Sequence, residues 1–221
     1  MDQNPDEDLY EDPGEAMDRG PDDDGEFDLD DLEELAAALH CRCMERGVAE
    51  AGQEWLDEPF AQWNENLERG RARMGRECAC RLVVAMADAL AARDALILSL
   101  VGGLRGEGAT ATMLGCATHP HEPDNVRLLY RGLDRAFNDA SLRPDARRLR
   151  AGIGMLRDLA ARAPGRFRVQ PLCVVAYTLW WLGEDEAGGY ARLALERDGS
   201  CVLARIICSA IEDEVCPAWR Q

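Results

Sequence analysis

The residues best suited to chemistry in this 221-residue sequence are nine cysteines and three histidines. Four of the cysteines form two short pairs, Cys41 with Cys43 and Cys78 with Cys80. Zinc sites normally take their cysteines from Cys-x-x-Cys pairs, and the sequence contains none. On a helix, a spacing of two residues turns the side chain by about 200°, so the two thiols of each pair point to opposite sides. We therefore predict inert, buried thiols here, with a metal site as the alternative.

Two of the three histidines, His119 and His121, lie in the segment His-Pro-His-Glu-Pro-Asp at residues 119–124. In an extended segment, a His-x-His spacing places both rings on the same side, which is the arrangement that a metal ion requires. The same composition is typical of a polar loop that begins a helix, with Asp124 as the N-cap. We predict the loop, and a metal site remains the alternative.

The sequence lacks a complete catalytic or cofactor signature. All 25 basic residues are arginine, which excludes a Schiff-base lysine, a P-loop lysine and the protein-kinase lysine. There is no Gly-x-Ser-x-Gly nucleophile motif. The glycine-rich segment 102–108 has neither a preceding strand nor a lysine that would bind phosphate. We predict a protein that is not an enzyme and needs no cofactor.

The negative charge is concentrated at the N-terminus. The net charge is −17, and residues 1–34, with 17 acidic residues and one arginine, contribute −16 of it. Arginine clusters at residues 69–76 and 143–150 offer modest basic faces, but the body is nearly neutral, which does not favour nucleic-acid binding. Residues 1–26 contain almost nothing apolar to bury, so we predict a disordered, solubilising acidic tail. The alternative is an acidic regulator or nucleic-acid mimic that acts through residues 1–34.

Beyond the tail, apolar residues recur with helical spacing, and strand signals are nearly absent. Helices are predicted over residues 32–43, 56–67, 73–101, 124–137, 144–163, 171–182, 187–195 and 203–211, and a loop over 104–123. The fold class is therefore all-α, with about eight helices. The helices from residue 171 onward are separated by only a few residues, so we expect them to stack as antiparallel hairpins. We assign residues 27–221 to one all-α domain, divided into N-terminal helices (27–103), this loop and C-terminal hairpins (124–217).

Three aromatic residues, Trp180, Trp181 and Tyr190, cluster around a predicted turn at Gly183. Neighbouring residues on a helix point about 100° apart, so the two tryptophans do not both face the core. We predict that one of them lies at the rim of a groove or an oligomer interface, where tryptophan is enriched. A protein partner or a second copy of the chain would bind there. The alternative is that both rings pack between layers of hairpins.

The last third of the chain carries a Trp-x-x-Gly turn, an alanine-containing helix and a Leu-Ala pair. These are Trp180 with Gly183, Ala191 with Ala194, and Leu203 with Ala204. Within the segments 144–163, 170–183 and 190–205 they resemble the helical C-terminal half of the actinobacterial domain-of-unknown-function family 4192, although tetratricopeptide-type hairpins share many of these features. Asp198-Gly199 stands where that family has Asp-Pro, and its N-terminal α/β part has no counterpart here. The resemblance covers residues 82–211; it implies cytoplasmic residence and an actinobacterial or actinophage source, and no established activity.

The compartment is predicted from the N-terminal residues, the longest apolar run and the cysteines. The N-terminus is acidic and polar, unlike a signal or transit peptide, and the longest apolar run, residues 172–182, is too short to span a bilayer. Nine cysteines without an export signal are typical of reduced thiols in a cytosol. We predict a cytoplasmic, non-enzymatic protein-interaction or regulatory module that does not associate with membranes. The alternatives are the acidic regulator and a metal- or thiol-dependent sensor.

Overall fold

Helices account for all the regular structure, as the sequence predicts. The computed structural model describes residues 25–221, so the predicted tail, residues 1–26, lies outside the described residues except for its last two. This part of the chain contains no strand and ten α-helices rather than eight. They are α1 (Leu29–Arg46), α2 (Val48–Arg69), α3 (Arg76–Asp88), α4 (Leu90–Val101), α5 (Ala109–Thr118), α6 (Pro123–Asn138), α7 (Ala146–Arg162), α8 (Val169–Leu182), α9 (Ala187–Arg197) and α10 (Val202–Glu212). None of these helices is both long and apolar enough to cross a bilayer.

Capping residues determine where several helices begin and end. The Asp28 carboxylate accepts hydrogen bonds from two backbone N–H groups of the first turn and begins α1. Asp145 begins α7 in the same way, by accepting from the backbone N–H of Arg148. That bond and the Arg105 guanidinium, 2.8 Å away, lower the pKa of the Asp145 carboxyl. Gly183 ends α8 in a left-handed conformation (φ 82°), which glycine adopts without a steric penalty.

Three predicted boundaries are wrong. Residues 73–101 do not form one helix, because Ala89 has an extended backbone (φ −133°, ψ 101°) and separates α3 from α4. The predicted loop over 104–123 contains α5, which packs against α2 and α4. Helix α2 begins at Val48 rather than at residue 56. Helices α4 and α5 lie centrally and are covered on most sides, so they lack the one-sided apolar pattern that identifies a surface helix.

The hydrophobic core has a large and a small part. Helix α4 packs against α3, α5, α6 and α8, and the large core around it contains four fully buried aromatic rings. These are Phe60, Trp63, Phe167 and Trp181. The small core lies between α8, α9 and α10 and is rich in alanine, which allows the helices to approach closely. Helices α7 to α10 each pack on the next, as predicted for stacked hairpins.

Arg148 of α7 is a buried cation that joins three parts of the fold. Its side chain is 4% exposed and donates to the Glu68 carboxylate of α2 at 2.5 Å. It also donates to the carbonyl oxygens of Ser99 (3.3 Å) and Leu104 (2.8 Å). Ser99 lies in the last turn of α4, where carbonyl groups have no partner within the helix. Burial lowers the pKa of the Arg148 guanidinium, and the Glu68 carboxylate opposes this shift.

The segment that precedes α1 is anchored to α3 and α7. The Phe27 N–H donates to the carbonyl oxygen of Arg162 at 2.9 Å, and the Arg162 guanidinium lies 4.5 Å above the Phe27 ring. Arg162 also donates to the carbonyl oxygen of Gly25 (3.1 Å), and Arg76 of α3 donates to that of Glu26 (3.2 Å). The contacts with Gly25 and Glu26 are made to the main chain. They hold the end of the acidic segment against the end of α7.

Candidate protein-interaction surface

The cysteines considered as metal ligands do not converge. Cys41 is exposed on α1, Cys78 is buried in α3, and their partners Cys43 and Cys80 are half-buried. The prediction of buried thiols is therefore wrong for Cys41, whose side chain lies on the solvent side of α1. No group of three or more His, Cys, Asp or Glu side chains in residues 25–221 is arranged to hold a metal ion. Burial raises the pKa of the Cys43, Cys78 and Cys80 thiols. These sulfurs are therefore weak nucleophiles near neutral pH.

The two histidines of the 119–124 segment are exposed in the turn between α5 and α6. His119 Nδ1 is hydrogen-bonded to the hydroxyl of Thr118 at 2.9 Å. Glu122 occupies the N-cap position of α6, so the prediction that Asp124 caps this helix is wrong. His121 lies on the same turn and belongs to no ligand cluster in the described residues. The segment thus forms a surface turn between two helices.

The adjacent tryptophans point in different directions from the end of α8. Trp181 is 2% exposed, and its indole N–H donates to the carbonyl oxygen of Ala136 at 2.9 Å. Trp180 is half-buried, its ring centre lies 6.1 Å from that of Phe137, and its indole N–H donates to the carbonyl oxygen of Val215 at 3.0 Å. Trp181 therefore belongs to the core, and Trp180 lies at the rim of a surface cleft.

The cleft beside Trp180 is acidic. It has a volume of about 490 Å³ and lies between the α8–α9 turn and the C-terminal segment. Its charged lining consists of Glu184, Asp185, Glu214 and Arg220. Three carboxylates and one guanidinium give this cleft a negative charge, so it does not suit an anionic ligand.

Tyr190 lines a second cleft, of about 240 Å³, which three guanidinium groups surround. They come from three separate elements: Arg157 from α7, Arg168 from the 3-10 turn at Gly165–Arg168, and Arg197 from the last turn of α9. The apolar lining consists of Ala160, Ala161, Leu172 and Leu193. We call this set of residues the arginine cleft. It combines positive charge with an apolar wall.

The arginine cleft carries more positive than negative charge. The Arg157 guanidinium lies 5.3 Å above the Tyr190 ring and donates to Glu186 at 2.6 Å, while its Nε is buried without a hydrogen-bond partner. Arg168 donates to two main-chain carbonyl oxygens near the end of α7, which leave its charge uncompensated. Within residues 25–221, Arg197 takes part in no ion pair. Of the three cations, only Arg157 is paired with a carboxylate.

The two arginine clusters seen in the sequence differ in how their charge is balanced. Arg69 lies 2.5 Å from Glu65, and Arg71 lies 3.9 Å from the same carboxylate. Arg73 lies 3.6 Å from Asp158 of α7. In the second cluster, Arg148 is buried and paired with a carboxylate, whereas Arg143 and Arg147 donate to main-chain carbonyl oxygens. Acidic neighbours thus balance most of the charge of the first stretch and only part of that of the second.

No pattern in the sequence identifies a site made of Arg157, Arg168 and Arg197. These residues are 11 and 29 positions apart, and only the packing of α7, α8 and α9 brings them together. Comparison with known protein families, with curated proteins and with solved structures finds no match to this chain. The resemblance of residues 82–211 to family 4192 therefore stays a prediction, and the function has to be argued from the surface itself.

Proposed function

We propose that the protein is a non-enzymatic, cytoplasmic interaction module whose arginine cleft binds an acidic segment of a protein partner. The observation that carries this proposal is the convergence of Arg157, Arg168 and Arg197 on one apolar-walled cleft with a single neighbouring carboxylate, Glu186. The nine free cysteines support a reducing compartment. The stacked helices α7 to α9 supply a rigid frame, which lowers the entropic cost of binding.

The lining of the arginine cleft selects the chemistry of the ligand. Guanidinium groups bind carboxylates through paired, charge-assisted hydrogen bonds. The Nε–H group of Arg157 is buried and donates no hydrogen bond in the unbound protein. A ligand that accepts a hydrogen bond from it removes the free-energy cost of leaving this donor unpaired. Leu172, Leu193 and the Tyr190 ring offer apolar contact beside these donors. A peptide that places a carboxylate next to a leucine matches both parts of the cleft.

Fluorescence anisotropy with a labelled Glu-Glu-Leu-Glu-Glu peptide tests this proposal on the full chain. Arg197→Ala removes a cleft cation that has no ion-pair partner in the described residues. We therefore expect a rise in Kd of about five- to tenfold, or about 1–1.4 kcal/mol. Arg192→Ala is the matched control, because Arg192 is exposed on the same helix but does not line the cleft. Equal weakening by both substitutions would show a response to net charge alone and would refute the site.

A second candidate function is regulation by the acidic N-terminal segment, and the anchoring of Gly25 favours it. Arg162, which holds Gly25, lies on the helix that also carries Arg157, five residues earlier and about 7.5 Å along the helix axis. Residues 1–24 hold 11 acidic residues and one arginine. The negative segment is therefore tethered at the end of α7, and we infer that it reaches the arginine cleft and competes there with an acidic partner.

Replacing Asp22, Asp23 and Asp24 with asparagine in the full chain tests this competition. If the acidic segment occupies the arginine cleft, the triple variant binds the labelled peptide at least threefold more tightly than the original chain, because a tethered competitor acts at a high effective concentration. Adding Arg197→Ala should remove that gain. Unchanged affinity of the triple variant would refute the competition and leave partner binding as proposed.

A further inference from the structure

Cys173 and Cys201 form a contact that has no part in the proposed peptide binding. Cys173 lies in α8, Cys201 immediately precedes α10, and their Sγ atoms are 3.2 Å apart. Both residues belong to the small core, with 0% and 5% exposure. The separation is about 1.2 Å longer than a disulfide bond. No other cysteine in residues 25–221 is hydrogen-bonded to a second thiol.

The two sulfur atoms lie in unequal environments. Cys201 occupies the N-cap position of α10, where backbone N–H groups and the helix dipole favour a negative charge. A hydrogen bond from Cys173, the backbone N–H of Ala204 and the charge of Arg93 lower the pKa of Cys201 to about 6, against burial and the Asp198 carboxylate. The same hydrogen bond, together with burial, raises the pKa of Cys173. The surroundings of Cys201 therefore favour a thiolate more than those of Cys173 do.

We propose that Cys173 and Cys201 are a redox-active pair, which a hydroperoxide converts into a reversible disulfide between α8 and the start of α10. The contact of the two sulfur atoms carries this inference. Access supports it, because Ser200 and Val202 on either side of Cys201 are exposed. Cys201 itself is 5% exposed, so a small oxidant reaches its sulfur when the start of α10 opens locally.

The reaction is a two-electron oxidation, in which one hydroperoxide converts two thiols into one disulfide. The Cys201 thiolate attacks one oxygen of the hydroperoxide, the O–O bond breaks, and an alcohol, or water when the oxidant is hydrogen peroxide, leaves after taking up a proton. This step gives a sulfenic acid at Cys201. The Cys173 sulfur then attacks the Cys201 sulfur, the S–O bond breaks, and the hydroxyl leaves as water with the Cys173 proton. A second thiol compound, such as dithiothreitol, reverses the reaction by exchange.

The disulfide would close a loop that contains the whole of α9. Residues 173 and 201 are 28 positions apart, and Tyr190, Leu193 and Arg197 lie between them. Closing a loop limits the conformations open to its residues when the surrounding structure loosens. We therefore expect oxidation to hold one side of the arginine cleft in place. Disulfide formation itself does not depend on whether the cleft binds a ligand.

Peptide mapping of the oxidised full chain tests the pairing. The reduced protein is treated with one equivalent of hydrogen peroxide, blocked with N-ethylmaleimide and digested with trypsin. Cleavage after arginine separates Cys173, in the peptide of residues 169–192, from Cys201, in the peptide of residues 198–205. We expect these two peptides to be joined, and dithiothreitol added before blocking should release them. Alkylation of both residues after oxidation, or joining of either one to another cysteine, would overturn the proposal.

Two variants separate this pair from general thiol oxidation. Cys208→Ser, a matched change on α10, should leave the joined peptides unchanged. Cys173→Ser should prevent joining and leave a sulfenic acid at Cys201, which dimedone labels. The same dimedone labelling at Cys208 and at Cys201 would contradict the special reactivity of Cys201. The mapping of the original chain needs no variant, so it stands even if Cys173→Ser does not fold.

Discussion

The buried cation of α7 gives the sharpest stability prediction. Replacing Arg148 with methionine keeps an unbranched apolar side chain in its channel but removes the guanidinium. The main-chain carbonyl groups of Ser99 and Leu104 then lose charge-assisted hydrogen bonds at 3.3 and 2.8 Å. The Glu68 carboxylate loses its partner as well, but its side chain is 52% exposed and becomes hydrated.

The magnitude depends on the two carbonyl groups. A hydrogen bond to a charged group contributes about 1.5–3 kcal/mol, and Arg148 donates two such bonds to carbonyl oxygens. We therefore expect Arg148→Met to lower the free energy of unfolding by about 3–6 kcal/mol. Glu68→Gln changes the exposed partner alone, keeps an acceptor for the guanidinium, and is expected to cost below about 1 kcal/mol.

Urea denaturation followed by circular dichroism at neutral pH measures both variants against the original chain. The reasoning predicts a large loss for Arg148→Met and a small one for Glu68→Gln, without a change of denaturant slope in either. A cost below about 1 kcal/mol for Arg148→Met, or equal costs for the two, would refute it. The first result would mean that the carbonyl groups find other donors, and the second that the ion pair rather than the carbonyl bonds carries the energy.

Other contacts give further expected outcomes. Trp181→Phe removes a buried indole hydrogen bond and should cost about 1–3 kcal/mol in urea denaturation, against less than about 1 kcal/mol for Trp180→Phe at the cleft rim. Gly183→Ala forces a left-handed backbone on alanine and should cost about 1 kcal/mol, whereas Gly189→Ala, in an open helical position, should add about 0.5–1 kcal/mol. The pKa of Asp145 is lowered in the folded protein, so its contribution is complete above the ordinary carboxyl pKa and is lost as the pH falls through the lower folded value. Asp145→Asn should therefore reduce stability at pH 7 and have little effect near pH 2, as thermal melts at both values would show.

Most helices could be predicted from the sequence, but the break between α3 and α4 and the presence of α5 could not. Helix α7 alternates apolar and charged residues with helical spacing, and Pro164-Gly165 marks its end. In contrast, no glycine or proline lies beside Ala89, where α3 and α4 separate. The packing of these two helices imposes the break, so the sequence contains no turn residue that marks it. Helix α5 contains glycine and threonine, whose low helix propensity is overcome by its burial against α2 and α4.

The candidate site was predicted in part. The different directions of Trp180 and Trp181 follow from helix geometry alone. The arginine cleft does not, because its three cations come from three elements, and a local pattern cannot reveal which arginines lack acidic neighbours. The contact between Cys173 and Cys201 is not predictable for the same reason, since 28 positions separate the two residues and no local pattern pairs them.

The anchoring of Phe27 on the end of α7 has a consequence for synthesis on the ribosome. Gly25 and its partner Arg162 are 137 residues apart, and at about 5–20 residues per second the second follows the first by roughly 7–27 s. During that interval Phe27 lacks both the carbonyl oxygen that accepts from its N–H and the guanidinium that lies above its ring. The contacts that hold residues 25–27 thus form only after the end of α7 has been made. These residues, the first described part of the chain to be made, are therefore held in place late.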